Sequence, residues 1–320
     1  MKILVTGANG FVGRALCAVL AKQGFNVIAA MREQKSIAGC KTTAVGEVNA
    51  NTVWKDALNE VDVVVHLAAR VHVMHENTQD PLTEFRKVNV AGTLRLENEA
   101  AKAGVKRLIF LSSVKVNGES TLAGSPFAFK RFANPQDAYG ISKYEAEEGL
   151  KSIAKKTGLE VVIIRPPLVY GNGVKANFAN MLRLVKLGLP LPFGAIHNKR
   201  SLIYIENLTS FITTCITHPN AANNTFLVSD GEDVSTTHLL KACAFALNKP
   251  LWLIPVPQSW LAFVFKLLGK AIIADRLLGN LQIDNTHACQ KLAWRPPYTL
   301  AQGLERTVNL VIDTDKVNSQ

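Results

Sequence analysis

Cysteine is scarce in this chain and poorly placed for cross-linking. The five cysteines, Cys17, Cys40, Cys215, Cys243 and Cys289, are odd in number and contain no CxxC pair. That argues against a disulfide framework or a thiolate zinc site and suits a reducing compartment. His72 and His75 stand three apart with no further ligand cluster beside them, so no metal site is expected. Long uninterrupted apolar runs are missing as well. The N-terminal one is short and opens directly into a glycine loop, unlike a signal peptide. The most apolar stretch, residues 260–281, is interrupted by Lys266, Lys270, Asp275 and Arg276. It is too broken to span a bilayer, and a packed amphipathic helix is expected there rather than a membrane-surface one. These absences lead to the expectation of a cytoplasmic protein without a transmembrane segment.

Acid is the minority charge: 25 Asp and Glu against 36 Lys and Arg leave a net +11. The basic residues are dispersed, with neither a long run nor an aromatic-interleaved stripe, so nucleic acid is not an expected partner. Anionic small molecules such as dinucleotides and sugar nucleotides account for a basic surface equally well.

What is present is ordinary globular composition, 48% hydrophobic and 19% charged over 320 residues. That length is ample for one large domain or two coupled ones. Through the first half, short apolar runs alternate with helical patterns. Strands are expected at residues 3–6, 26–30, 41–45, 61–67, 107–111 and 161–164, and helices at 11–23, 81–103 and 138–157. Strands alternating with helices imply an α/β fold, a Rossmann-type doubly wound parallel sheet covered on both faces. After Pro167 the alternation breaks, with prolines at 190, 192, 250, 255, 257, 296 and 297. A loop-rich, smaller C-terminal substrate-binding region is expected there, over the C-terminal ends of the strands. The boundaries are 1–167 for the dinucleotide-binding domain, 168–311 for the substrate-binding region, partly interleaved with the first, and 312–320 for a polar tail.

Gly7-Ala8-Asn9-Gly10-Phe11-Val12-Gly13 follows the first strand and opens the first helix. Gly7 permits a tight turn, Gly10 lets backbone approach a pyrophosphate, and Gly13 lets the helix pack on the sheet. The helix N-terminus, at Phe11 and Val12, offers unpaired N–H groups and partial positive charge to the phosphates. A carboxylate ending the second strand would select the 2′-hydroxyl of NAD(H). Here the run ends Ala30-Met31-Arg32, and an arginine accommodates a 2′-phosphate, so NADP(H) is expected ahead of NAD(H). Glu47, after the third strand, is either an acceptor for the adenine amino group or a surface acid.

Tyr139-Gly140-Ile141-Ser142-Lys143 sets a tyrosine and a lysine four apart, on one helix face. A free phenol, with a pKa of about 10, is a poor base near neutrality. A neighbouring ammonium favours the phenolate and lowers that value. Ser113 supplies a hydroxyl for the substrate oxygen that gains or loses the proton. Glycine loop, serines and Tyr/Lys pair together point to a nicotinamide-dependent enzyme. His66 reads as a satisfied core histidine and Cys17 as a small apolar packing residue.

On these motifs the chain resembles the extended short-chain dehydrogenase/reductase family, which acts largely on nucleotide sugars. It resembles that family's TGxxGxxG from Thr6 to Gly13, its HLAA in His66-Leu67-Ala68-Ala69, its SSxxVYG from Ser112 to Gly118, and its YxxxK at Tyr139 and Lys143. It also resembles RPxxVYG from Arg165 to Gly171 and the closing LGWxP in Leu292-Ala293-Trp294-Arg295-Pro296. The resemblance implies Ser113, Tyr139 and Lys143 as the catalytic trio, with Ser113 preferred to Ser112 by counting back from Gly118. It implies Leu67, Ala68, Ala69 and Pro166 beside the cofactor, and Asn89, Asn177, Arg200 and Arg276 around a UDP-sugar. The family's dimers pair two helices from each subunit, so a homodimer through 81–103 and 138–157 is expected. Three positions depart from the pattern: Asn117 replaces a tyrosine, Lys115 takes a place that is often small or hydroxylic, and Ser201 replaces the aspartate after Arg200. These bear on the sugar more than on the redox chemistry.

The resemblance is strongest to a bacterial surface-glycan subgroup. Its members are UDP-glucose 4-epimerase-like proteins or reductases of UDP-4-keto-6-deoxy-N-acetylhexosamines, and the missing acid at Met31 with Arg32 beside it favours the second, reduction at C4 of a UDP-4-keto-6-deoxy-N-acetylhexosamine. The alternative is a UDP-glucose or UDP-N-acetylglucosamine 4-epimerase with tightly held NAD, and the remote alternative a non-catalytic NADP-binding scaffold. No Asp-Glu pair follows Ser113, which counts against a dehydratase.

Overall fold

The computed structural model describes residues 1–71, 80–129, 132–174 and 176–317, with side chains for all of these except 176–177, 272 and 309–317. His72, His75 and the side chain of Asn177 lie outside the described residues. In chain order the first half runs β1 (Lys2–Thr6), α1 (Phe11–Lys22), β2 (Asn26–Met31), β3 (Lys41–Ala44), β4 (Val63–His66), α2 (Pro81–Phe85), α3 (Thr93–Lys102), β5 (Arg107–Leu111), α4 (Ala138–Thr157) and β6 (Glu160–Arg165). The second half runs β7 (Leu168–Tyr170), α5 (Ala176–Lys186), β8 (Arg200–Tyr204), α6 (Ile205–Thr217), β9 (Thr225–Leu227), β10 (Asp233–Val234), α7 (Thr236–Ala246), α8 (Gln258–Leu267), α9 (Ala271–Leu278), α10 (Thr286–Lys291) and α11 (Leu300–Val317).

Among the described residues a seven-stranded parallel sheet has the order β3-β2-β1-β4-β5-β6-β9. Its central strands are apolar on both faces: Ile3, Leu4 and Val5 are all fully buried, as a sheet sandwiched by helices demands. One core packs α1 and α6 against the sheet through Leu16, Cys17, Leu20, Leu208, Phe211 and Ile212. The other packs α3 and α4 through Leu96, Ala100, Ala146 and Leu150. This is the doubly wound Rossmann-type fold. Strand order reverses between β1 and β4, so the loops after these two strands flank the crevice where ligands bind in such sheets.

The helix expected over 81–103 is divided. α2 passes into a wider π-type segment, Arg86–Gly92, before α3 resumes. A π segment rotates the residues that follow relative to a straight α-helix, and here it turns Asn89 fully into the interior.

The second half is more regular than expected. Its prolines fall between elements, at Pro190 and Pro192 after α5, at Pro250, Pro255 and Pro257 before α8, and at Pro296 and Pro297 before α11. They punctuate helices rather than abolish them. β7, β8 and β10 form a separate three-stranded sheet, whereas α6 and β9 return to the first. α11 continues through Val317, so residues 312–317 extend a helix where a polar tail was expected.

The stretch 260–281 is helical, but the packed helix expected there is only partly packed. Leu261 is buried, while Trp260, Phe263, Val264, Leu267 and Leu268 face solvent. Among the described residues no helix is long and apolar enough to cross a membrane.

Candidate active site

The crevice begins at Gly7, whose φ of +64° suits glycine. A Cβ there would lie 2.8 Å from the Ala68 nitrogen, so only glycine lets the loops after β1 and β4 meet. At Gly13 a Cβ would sit 2.2 Å from the Gly7 carbonyl oxygen, which lets α1 start tight against the loop. Gly10 is the N-cap of α1 and no side chain caps it. The first-turn N–H groups at Phe11, Val12 and Gly13 are therefore placed for an anion, and the cradle fits a dinucleotide pyrophosphate.

Thr6 fixes the facing loop. Its Oγ1 accepts from the N–H groups of Leu67 and Ala68, both at 3.2 Å, so its own proton goes to Nδ1 of His66 at 2.7 Å. The ring proton of His66 then sits on Nε2, which donates to Thr93 Oγ1 at 3.0 Å. Burial, with the charge of Lys143 second, lowers the His66 pKa to about 3, so the ring is neutral. Thr6 thus sets the positions of Leu67 and Ala68 from below, and His66 is a satisfied core histidine.

Ser113 and Tyr139 meet where β5 and α4 converge, with Lys143 one turn along α4 reaching the end of β5. Asp137 caps α4 by accepting from Gly140 N at 2.6 Å, which fixes the start of the helix that carries Tyr139. Ser113 hydrogen-bonds Tyr139, whereas Ser112 donates to Glu147 at 2.5 Å. The preference for Ser113 over Ser112 therefore has a geometric counterpart. Lys143 is 2% exposed; its Nζ donates to the Leu111 carbonyl at 2.9 Å and lies 4.3 Å from the centre of the Phe110 ring. Burial pulls the Lys143 ammonium down to about 7, against the pull of Glu147.

The expected lowering of the Tyr139 pKa by Lys143 is not what the protein's own groups produce. Burial pushes the phenol up to about 12, Asp137 adds to that, and the Ser113 hydrogen bond opposes it. Desolvation penalises the phenolate more than the local hydrogen bond favours it.

Behind the trio lies a buried ion pair that sequence reasoning missed. Arg165 donates Nε to Glu147 Oε1 at 2.9 Å and Nη2 to Oε2 at 2.5 Å, and its Nη1 reaches Asn117 Oδ1 at 3.1 Å. Asn117, which departs from the family's tyrosine, is thus a buried partner of Arg165. Glu147 lies four residues beyond Lys143 on the same face of α4, and that spacing was the available signal. Lys115, the second departure, pairs with Asp137 and with Glu119, the latter at 3.0 Å. Ser201, the third, donates to Asp233 at 2.5 Å and accepts from Ile283 N at 2.8 Å.

Of the residues expected around the sugar, Asn89 is turned away from that role. Its Oδ1 accepts from Arg70 N at 2.8 Å, and its Nδ2 donates to Arg70 O at 3.1 Å and Ser142 Oγ at 2.9 Å. It braces the loop after β4 against α4. The Pro166 carbonyl accepts from Val114 N at 3.0 Å and so holds the serine loop on β6. Arg200 and Arg276 do come together: burial and then Arg276 depress the pKa of Arg200, which Glu119 partly offsets. Two guanidiniums repelling one another suit a diphosphate between them. Arg200 Nη1 is steadied by the Gly279 carbonyl at 3.0 Å. Arg32 is exposed just after β2, and Glu47 is exposed on the rim of an open cavity of about 470 Å³ with Thr43, Asn49, Asn51 and Asp56.

Residues 3–229 match the NAD dependent epimerase/dehydratase family. The chain is 50% identical over 315 residues to a UDP-glucose 4-epimerase of Vibrio cholerae, covering 98% of this chain and 96% of that one. It is 30% identical to an N-acetyl-alpha-D-glucosaminyl-diphospho-ditrans,octacis-undecaprenol 4-epimerase of Escherichia coli O157:H7, over 96% of this chain and 94% of the relative. In fold it is similar to a UDP-glucose 4-epimerase from Thermotoga maritima solved with UDP-glucose, with a TM-score of 0.76 and 23% identity over 98% of this chain and 99% of that one.

Proposed function

The chain belongs to the NAD-dependent epimerase/dehydratase family, and on that premise we propose that it inverts C4 of a UDP-hexose through a transient 4-keto sugar. The observation that carries this reading is the 50% likeness to the Vibrio cholerae epimerase along nearly all of both chains. The reductase expected from the sequence gives way to the alternative on that likeness; Arg32, which had favoured it, is an exposed side chain beyond β2 that suits either reading. The preference for NADP(H) rested on the same residue, and the NAD-dependent family to which the chain belongs supports NAD(H) in its place.

Gly7, Gly10, Phe11, Val12, Gly13, Leu67, Ala68 and Ala69 would hold the dinucleotide, which when bound accepts hydride from C4 and returns it. Tyr139 takes the proton from the C4 hydroxyl and later gives it back, with Ser113 orienting that oxygen. Lys143, its Nζ held by the Leu111 carbonyl, favours the phenolate in its ammonium form, against the burial and the Asp137 charge that raise the phenol. Arg200 and Arg276 bind the diphosphate and leave the sugar free to turn between hydride removal and return. We also propose that two copies pair through the outer faces of α3 and α4.

The test incubates purified protein with single UDP-hexoses and no added reductant, and follows the sugars by NMR. Interconversion of C4 epimers with no net change in nicotinamide absorbance is expected, lost about 10²–10⁴-fold in Tyr139→Phe. Consumption of NADPH with a UDP-4-keto-6-deoxy-N-acetylhexosamine, and no interconversion, would return the reductase. A second reading replaces uridine by a polyprenol on the diphosphate. The Escherichia coli relative's named substrate favours it, and the same NMR assay on a lipid-linked sugar separates the two.

A further inference from the structure

Trp260, Phe263, Val264, Leu267 and Leu268 recur at i, i+3, i+4, i+7 and i+8 along α8 and its last turn, which places them on one helix face. That face is open: Trp260 is 67% and Leu267 71% exposed. Leu261, on another edge of the helix, together with Phe265 packs against Ile196, Ala274 and Leu278. Folding is therefore served by one edge of α8, and the five-residue stripe is additional to it. An apolar patch of this kind marks an interaction surface.

The exposed apolar character continues beside the helix. Ile273 on α9 is exposed, as are Trp252 and Ile254 in the strip that hydrogen-bonds Leu191 and Gly194. The charge carried along this part of the chain is mostly basic. Between residues 234 and 283 the chain carries Lys241, Lys249, Lys266, Lys270 and Arg276 against one acid, Asp275. Lys266 and Lys270 bracket the turn that ends the stripe.

We propose that this face docks the protein on an anionic phospholipid surface, with α8 lying in the plane of the headgroups. Its tryptophan, phenylalanine and leucine side chains enter the acyl boundary while the lysines meet lipid phosphates. The length of α8, ten residues, suits lying on a bilayer, since spanning takes about 20. Charge complementarity selects lipid over a second copy. Two such faces pressed together would oppose their lysines with Asp275 as the acid on each side, whereas an anionic bilayer neutralises them. Arg276 sits on the adjoining helix α9, so docking brings the arginine pair close to the headgroup layer. The inference concerns where the protein sits and stands or falls separately from the C4 chemistry.

The test mixes the full chain with vesicles of phosphatidylglycerol and phosphatidylcholine, or of phosphatidylcholine alone, and reads co-sedimentation. Binding to the anionic vesicles is expected, weakening as salt rises. Trp260→Ser/Phe263→Ser is expected to weaken it about tenfold or more, and Lys266→Glu/Lys270→Glu to abolish the preference for anionic lipid, both with an unchanged thermal midpoint. No binding to anionic vesicles, or equal binding by the wild type and both variants, overturns the proposal. So does a lipid-free fall in oligomeric mass in Trp260→Ser/Phe263→Ser, which would assign the face to a second copy.

Discussion

Replacing Arg165 by methionine tests how dry the ground behind the trio is. Glu147 is fully buried and the Arg165 side chain is 8% exposed. Methionine fills much of the same space but removes both hydrogen bonds to Glu147 and the one to Asn117. Glu147 would keep the Ser112 hydrogen bond, at 2.5 Å, and the charge of Lys143 one turn away, but no direct ionic partner. Breaking one side of a buried pair costs about 3–5 kcal/mol, because the surviving charge has lost its compensation. At about 2 cal/mol/K of unfolding entropy per residue, a chain of 320 residues shifts its thermal midpoint by about 1.5 °C per kcal/mol, so a fall of about 4–8 °C is expected. Glu147→Gln/Arg165→Met removes the stranded charge and should melt above the single methionine variant. Thermal unfolding of the wild type and these variants decides the matter. A fall of less than about 2 °C would mean that water reaches the pair and that the reasoning from burial is wrong.

Gly13→Ala should expel the dinucleotide, since its Cβ meets the Gly7 carbonyl at 2.2 Å; nucleotide released on denaturing the purified protein measures this. Glu97 is buried in α3 with neither carboxylate oxygen hydrogen-bonded, and burial raises its pKa to about 8 from an ordinary 4.5. The folded state therefore keeps a proton that the unfolded chain releases, and stability falls as pH climbs from 4.5 towards 8. Glu97→Gln should match the wild type in acid and melt increasingly above it as pH rises; equal midpoints at about pH 8.5 would refute the burial of this carboxyl. Lys115→Met should expose Tyr139 to the uncompensated charge of Asp137 and shift the limb of kcat assigned to the phenol to higher pH, while Lys115→Arg keeps the wild-type profile. A pH–rate profile that does not move in the methionine variant would separate the ion pair from the chemistry.

The glycine loop, the parallel sheet and the Ser113, Tyr139 and Lys143 constellation were legible because each is written locally. A loop motif sits between a strand and a helix, and a Tyr/Lys pair at i and i+4 must share a helix face. The Glu147–Arg165 pair was not, since its members lie on different elements and a charged residue at the end of a strand reads as exposed until the fold closes over it. Asn117 looked like a change in substrate specificity and proved to be the third member of that network. The wrong expectation for the helix around residue 263 has a similar cause. Periodicity locates apolar edges on a helix without saying which of them finds a neighbour. Arg32 did not decide the dinucleotide, because an arginine in solvent and an arginine on a 2′-phosphate have the same sequence.

β9 has a consequence for synthesis of the chain. It covers the outer edge of β6 through Ile163, Ile164 and Arg165, yet it begins at Thr225, after α5, β8 and α6 have been made. At about 5–20 residues per second, a ribosome needs roughly 3–12 s to bridge that gap. Through that interval the nascent chain presents Val161-Val162-Ile163-Ile164 as an unpaired, uncharged strand edge, the kind that recruits other chains. A polypeptide released at Pro167 would hold the glycine loop and the whole trio and still carry that open edge, so it belongs to the chaperones rather than to the pool of cofactor-binding protein.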